Sequence, residues 1–424
     1  METINHTRKV EKKPFTRPLI IYKITNDDAL IYCLRVIQYY LELESTEKIY
    51  VEDVNLIREC FYTDKKEFKF LSKMKKEKLN SIFLFDLKAN EADVCIVIGG
   101  DGTILWANHI FKDETRPPFL AFNLGTLGYM ATYCCKSYKS ILDDVLNPKT
   151  SIYYEKRTFL KGKFLLKLPN RESGLNKHNL NDELRRSSSL SLKRNLLSNT
   201  SIALESICKL NVSEPGILQE DLNKSVKNGS VKFFKNEIEH SEFQTEYNDK
   251  CEDKIIYALN DITIERKDFT HMINTEIYYN DEPLTIIKSN GIIIASPTGS
   301  TAYSLSAGGT IMHYGLDCFI LNSICPFSLS FRPIAFPRGD KLKIILTPDS
   351  NDAVIINDGI NKYNLTHDQG IEVEISDKYV EFILIEKLYE NKSMMWKQKI
   401  IDQLGWNNSF KNVGYSEIDE KMEI

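Results

Sequence analysis

The 424-residue chain has no G-x-x-x-x-G-K-[ST] segment and no G-x-G-x-x-G after a β-branched run. The first absence excludes a P-loop nucleotidase, and the second excludes a standard dinucleotide fingerprint. No C-x-x-C pair occurs. The nine cysteines are odd in number and scattered, with Cys134 and Cys135 adjacent, which reads as reduced thiols rather than disulfides or zinc. The histidines are isolated too, so no dedicated metal site on the protein is expected. No apolar run is long enough to cross a bilayer. A net charge of −4 provides no broad basic field for nucleic acid or an anionic membrane. The first 18 residues are basic but lack the apolar stretch of a secretory signal. Glu2 and Glu11 are unusual in an organelle transit peptide, so a cytoplasmic protein is expected.

Two glycine-punctuated loops carry the chemistry. VIGGDGT (Val97 to Thr103) follows DVCIVI, and SPTGSTAYSLSAGG (Ser296 to Gly309) follows GIIIA. A glycine turn between a strand and a helix presents backbone N–H groups and the positive end of the helix dipole, which suits phosphate. Gly99, Gly100 and Gly102 lack a Cβ and let backbone approach such a ligand closely. Asp101 stands among them, and a carboxylate repels phosphate unless it is used. It either caps the helix, binds a metal, or accepts a proton from an attacking hydroxyl. Thr103 has two readings, a cap or a donor to phosphate. Asn123, Leu124 and Gly125 begin a second glycine turn, which the residues alone read as a plain connection between strand and helix. Asn260 and Asp261 either close a turn or read a base edge and ribose hydroxyls.

Five blocks occur in order: VIGGDGT, AFNLGTLGYM (Ala121 to Met130), ALNDITIER (Ala258 to Arg266), SPTGSTAYSLSAGG, and SICPFSLSFRPIAFP (Ser323 to Pro337). Together they resemble NAD kinases. GGDGT alone is shared with phosphofructokinases and with lipid kinases of the diacylglycerol type, whereas the SPTGSTAYSLSAGG block is far more specific. The resemblance implies transfer of the γ-phosphoryl group of ATP to the 2′-hydroxyl of the adenosine ribose of NAD, with Mg2+ arriving on ATP and Asp101 as general base. It also implies that Ala302, Tyr303 and Ser306 line the NAD site, with Asp358 near it, and that the Asn123–Leu124–Gly125 turn lies beside the nucleotide; Thr298 and Thr301 supply hydroxyls at the turn of the second loop. Arg157 either supplies charge to phosphate or forms an exposed salt bridge. Asn290 stands where the family commonly has Asp, Asp261 where it usually has Glu, and Phe327 where relatives often carry His. Relatives form dimers or tetramers, so a homodimer or homotetramer is expected. A lipid kinase leaves the second loop unexplained, and a binding-only regulator gains nothing from Asp101.

Continuous apolar runs alternating with helical stretches predict an α/β, Rossmann-like lobe over 19–157, after a flexible 1–18. From Asn260 onward, short alternating strands predict a sandwich-like β domain over 158–380. A segment rich in Asn, Ser, Lys and Glu at 169–253 reads as an insertion too polar to offset its ordering entropy. Its Arg185-Arg186-Ser187 run is either a kinase target or a chance occurrence. The final 381–424, with a helix near Ser393–Leu404, is expected to return to the first lobe.

Overall fold

The computed structural model describes residues 7–10, 15–62, 76–87, 91–111, 116–125, 128–165 and 254–405. The insertion and its Arg185–Ser189 run lie outside the described residues.

Strands β1 (Thr7–Val10), β2 (Pro18–Tyr22), β3 (Ile49–Val51), β4 (Ile82–Leu84), β5 (Val94–Ile98) and β6 (Phe119–Asn123) are interleaved with helices α1 (Asp27–Glu42), α2 (Val54–Tyr62) and α3 (Asp101–Ile110). β4, β3, β2, β5 and β6 lie side by side in that order and all run parallel. β5 explains why its sequence is apolar throughout. Val94, Ile96 and Ile98 pack towards α1, while Cys95 and Val97 pack towards α3, as a parallel strand covered on both faces requires. α1 begins where Asn26 accepts a hydrogen bond from the Ala29 N–H at 2.9 Å, with Asp27 and Asp28 in its first turn, both favourable at a helix start. Chain order along the sheet reverses between β2 and β5. Ligands bind α/β sheets at the carboxyl ends of strands flanking such a reversal, and Gly99 follows β5 there.

After β7 (Tyr133–Cys134) and helix α4 (Tyr138–Leu146), the chain becomes mostly β. β8 (Ile152–Leu165), β9 (Ile255–Ala258), β11 (Ile273–Tyr279), β12 (Glu282–Ser289), β16 (Leu342–Leu346) and β19 (Gly370–Ile385) extend the first sheet. β10 (Asp261–Arg266), β13 (Gly291–Ala295), β14 (Cys318–Ile324), β15 (Ile334–Pro337), β17 (Ala353–Asn357) and β18 (Asn361–Leu365) form a second, antiparallel sheet. One face of that sheet, with Ile262, Ile264, Ile292, Ile294 and Ile355, packs on Leu160, Ile277, Ile344 and Ile371 of the first. This is the expected sandwich.

The lobes do not separate where the sequence divides them. The boundary at 157 falls inside β8 and the one at 380 inside β19. These two long strands pair with each other, and β19 runs parallel beside β6, so one sheet passes through both halves. IEVEISD (Ile371 to Asp377) and YVEFILI (Tyr379 to Ile385) lie in this single strand, interrupted by a register shift between Ile375 and Tyr379. Within the first 18 residues, 7–10 form a strand. β1 pairs with β8 from Thr7↔Glu155 to Val10↔Ile152, and Arg8 meets Glu381 at 3.0 Å. β8 otherwise offers unpaired N–H and C=O groups there, and a strand satisfies them.

Candidate active site

The first loop leaves β5 with the Gly99 N–H bonded to the Phe122 carbonyl at 2.9 Å. Gly99 is needed for packing, because a Cβ there would collide with the Thr103 side chain. Gly100 and Gly102 face open space, which leaves their backbone free to meet a ligand. Neither Asp101 nor Thr103 is the cap. Gly100 holds the N-cap position without a side-chain bond, Asp101 is the first residue of α3, and Thr103 is buried one residue beyond Gly102.

The Asp101 side chain points instead at the turn after Gly125. Its Oδ2 accepts from the Tyr129 N–H at 2.8 Å, and its Oδ1 accepts from the N–H groups of Met130 and Ala131 at 3.0 and 3.2 Å. A carboxylate has about four acceptor positions, so Oδ2 keeps one for another donor. Gly128 completes this cradle, since a Cβ on it would strike the carboxylate. At the start of the same turn, Asn123 accepts the Gly125 N–H through Oδ1 at 3.0 Å, Leu124 is half-buried against the α1 core, and Gly125 is exposed.

Asn260 and Asp261 open β10 at the junction of the halves, where Leu259 packs with Val97, Ile104 and Met130. They are held by Asp358, whose carboxylate accepts the N–H groups of Leu259, Asn260 and Asp261 at 2.8, 2.7 and 3.2 Å. Asp358 sits in a turn where it and Gly359 both take left-handed backbone, φ 49° and 70°, a hairpin geometry that Asp-Gly suits. Asp358 is therefore an anchor for the Asn260–Asp261 turn. Burial pushes it up to about 6 despite the three amides. Burial and the neighbouring Asp358 and Glu265 push Asp261 up to about 7. Asn260 Oδ1 and, two residues beyond Asp261 on the same face of β10, Thr263 Oγ1 are buried with no partner among the described residues. Such orphaned acceptors suit a ligand that brings donors.

The second loop folds against this turn. Ser296 Oγ donates to the Leu259 carbonyl at 2.5 Å, and Gly299 lies so close to Asn260 backbone that a Cβ would collide with it. Ser300 is buried, donating to the Pro297 carbonyl at 2.7 Å and accepting the Met312 N–H at 2.9 Å. Thr298 is buried, and Thr301 donates to its carbonyl at 3.1 Å. The loop enters a 3-10 turn and then only one helical turn, Tyr303–Ser306, so it lacks the dipole of a full helix. Tyr303, 40% exposed, and the exposed Ser306 face outward beside half-buried Ala302. Burial, then Glu265, raise the Tyr303 phenol, and Asp261 contributes.

Two expected contacts stand apart. Arg157, 6% exposed, is paired with buried Glu155 at 2.6 Å and stacks over the Tyr314 ring at 3.5 Å. It is an internal ion pair rather than a cation open to phosphate. Asn290 lies at the far end of β13 from Ser296, beside Arg266 and Ile324. Five residues of strand are roughly 16 Å, so this chain alone does not bring Asn290 to Asp261. Phe327 is at that same end, 70% exposed, with its N–H on the Lys288 carbonyl at 2.8 Å.

The residue pattern did not single out the Tyr129–Ala131 amides or Lys399. In the C-terminal helix Lys392–Leu404, Lys399 donates to the carbonyls of Tyr129 at 3.1 Å and Ala131 at 3.5 Å, and Trp396 packs on His313. Trp396, Lys399 and Ile400 recur at helical spacing, the one available sign that this lysine faces inward.

A loop at a sheet reversal, a carboxylate held by amides and a β sandwich folded against them define a nucleotide-handling α/β–β protein. The profile of the ATP-NAD kinase N-terminal domain matches residues 19–150, and that of the ATP-NAD kinase C-terminal domain matches 259–385. Together they span more than half of the chain, which therefore belongs to the ATP-NAD kinase family. It is similar to the bifunctional NADP phosphatase/NAD kinase of Methanocaldococcus jannaschii, 28% identical over 70% of this chain and 37% of that one. The mitochondrial NADH kinase pos5 of Schizosaccharomyces pombe is 27% identical over 77% of this chain and 62% of its own. The ATP-NADH kinase YEF1 of Saccharomyces cerevisiae is 27% identical over 92% and 64%. The chain thus spans between about a third and just under two thirds of the length of these relatives. The fold is also that of a yeast NADH kinase solved with NADH, at a TM-score of 0.63 and 21% identity, covering 93% of this chain and 89% of that one.

Proposed function

We propose that the chain transfers the γ-phosphoryl group of ATP to the 2′-hydroxyl of the adenosine ribose of NAD, giving NADP and ADP. The observation that carries this reading is Asp101, fixed by three backbone amides beside two open glycines, with acceptor capacity left on Oδ2. Asp101 takes the hydroxyl proton as the ribose oxygen bonds to the γ-phosphorus and the bond to the bridging oxygen of ADP breaks. The amides hold its position, which is most of what phosphoryl transfer asks of a protein. Backbone at Gly100 and Gly102 meets the phosphates. Asn260, Asp261 and Tyr303 hold the adenosine half of the acceptor, with Thr298, Thr301, Ala302 and Ser306 around it. Mg2+ enters on ATP, whose phosphate oxygens suit it and offset its charge. No group of three or more His, Cys, Asp or Glu side chains gathers into a metal site among the described residues.

NADH is the alternative acceptor, in keeping with relatives named NADH kinases. A coupled assay with NAD and NADH in parallel, varying ATP and Mg2+ separately, separates the two. Asp101→Asn is expected to lower kcat by about 10²–10⁴-fold while NAD still binds; near-wild-type turnover removes Asp101 from the base role. A cytoplasmic location belongs to the same proposal. Cell fractionation against a mitochondrial marker tests it. Among the described residues no helix is long and apolar enough to cross a membrane.

A further inference from the structure

The C-terminal helix reaches Asp101 through a single peptide group. The Tyr129 carbonyl and the Met130 N–H belong to one peptide unit. Lys399 Nζ donates to that carbonyl at 3.1 Å, and that N–H donates to Asp101 Oδ1 at 3.0 Å. We propose that Lys399 is a positioning residue for the phosphoryl-transfer step, holding Asp101 through the Tyr129–Met130 peptide.

Both ends of this peptide carry charge-assisted hydrogen bonds. These are stronger than neutral ones, and a chain of them polarises the groups between. Lys399 also donates to the Ala131 carbonyl at 3.5 Å, and the Ala131 N–H is Asp101's third donor. Lys399 is 8% exposed, and an ammonium is rarely enclosed without partners. Burial lowers it to about 8, as does Arg157 on β8, while Asp101 on α3 and Glu155 on β8 oppose this, so it remains charged at neutral pH. On the same face of the helix, Lys392 and Trp396 line one cleft with Lys399, with Tyr314 and Thr132 opposite. The helix therefore clasps the turn behind the first loop and the segment following the second. The inference rests on Asp101 acting as the base.

The test compares full-length wild type, Lys399→Met, Asp101→Asn and the double variant. Lys397→Met, exposed on the same helix, is the control. Two quantities are read: steady-state kinetics, and hydrogen exchange of the segment holding the Tyr129–Ala131 amides. In Lys399→Met those amides are expected to exchange at least about tenfold faster, and kcat to fall about 10–100-fold with both KM values within about threefold. In the Asp101→Asn background the same change is expected to cost less than about twofold, because coupled residues are non-additive. Unchanged exchange at 129–131, or a kcat loss that multiplies with that of Asp101→Asn, overturns the proposal. Should Lys399→Met not fold, Lys399→Arg decides: slow exchange with most of kcat retained supports it, and fast exchange in a stably folded protein overturns it. Normal turnover in Asp101→Asn sinks the base role, whereas the exchange measurement still judges the tie itself.

Discussion

At the scale of single residues, the site is built from carboxylates held by backbone amides. Asp101 and Asp358 each accept three, and the difference between them lies in their surroundings. Asp358 is spent on shaping the turn that presents Asn260 and Asp261. Asp261 is held at about 7 and Asp358 at about 6, both above the ordinary 3.8. Between about pH 4 and 7 the folded chain therefore binds more protons at this pair than the unfolded chain does. Its stability contribution is fully present below pH 4 and is lost as pH rises through 6 to 7. Asp261→Asn is expected to gain stability relative to wild type steadily from pH 5 to 7.5, read as urea midpoints; a relative loss over that range contradicts the burial argument. For the internal Arg157–Glu155 pair, Arg157→Met leaves Glu155 buried without its cation. It is expected to cost about 3–5 kcal/mol of stability, measured by denaturant unfolding, rather than to raise KM for ATP selectively. Nothing in the sequence around Arg157 distinguishes these outcomes, because burial and the Tyr314 contact arise from residues far along the chain.

At the scale of elements, apolar runs and glycine turns are legible and their partners are not. β5 and α3 form on either side of the first glycine loop where the pattern predicts, because a run of β-branched residues and a glycine turn into a helix are local properties. The turn after β6 is different. Its glycines look alike, but Gly125 faces open space whereas Gly128 touches the Asp101 carboxylate. Gly128→Ala is expected to lower kcat by about tenfold or more by displacing that carboxylate, while Gly125→Ala stays near wild type in folding. Steady-state kinetics with a melting curve for each variant separate the two, and equal effects would show that the cradle is unimportant. The second loop is the reverse case: its sequence suggests a helix start, yet only one turn forms, and close packing on Asn260 is what its Gly299 supplies.

At the scale of the molecule, β8 and β19 make one sheet of what the sequence divides into two lobes. The ends of the insertion are neighbours, because the Phe164 N–H donates to the Lys254 carbonyl at 3.0 Å and Lys163 pairs with Ile255. Replacing residues 167–252 with a short glycine-containing turn is therefore expected to close an ordinary β8–β9 hairpin. The shortened protein should melt within a few degrees of the full chain and keep its turnover, and failure to fold would assign the insertion a structural role. Phe327 and Leu329, 70% and 92% exposed, lie at the Asn290 end of the second sheet. A homodimer or homotetramer covering them is expected, with light scattering giving two or four times the 49.0 kDa chain mass.

Sequence alone determined the family and the order of an α/β part followed by a β part, and it singled out Asp101 as a candidate, since these depend on residue types at short spacing. Tertiary structure alone decided that Arg157 turns inward, that Asp358 serves as an anchor, that Asn290 sits a strand's length away, and that a lysine almost three hundred residues later stands behind the Asp101 cradle. Those outcomes are set by hydrogen bonds and burial between segments that only the completed sheet brings together, and no local pattern encodes them.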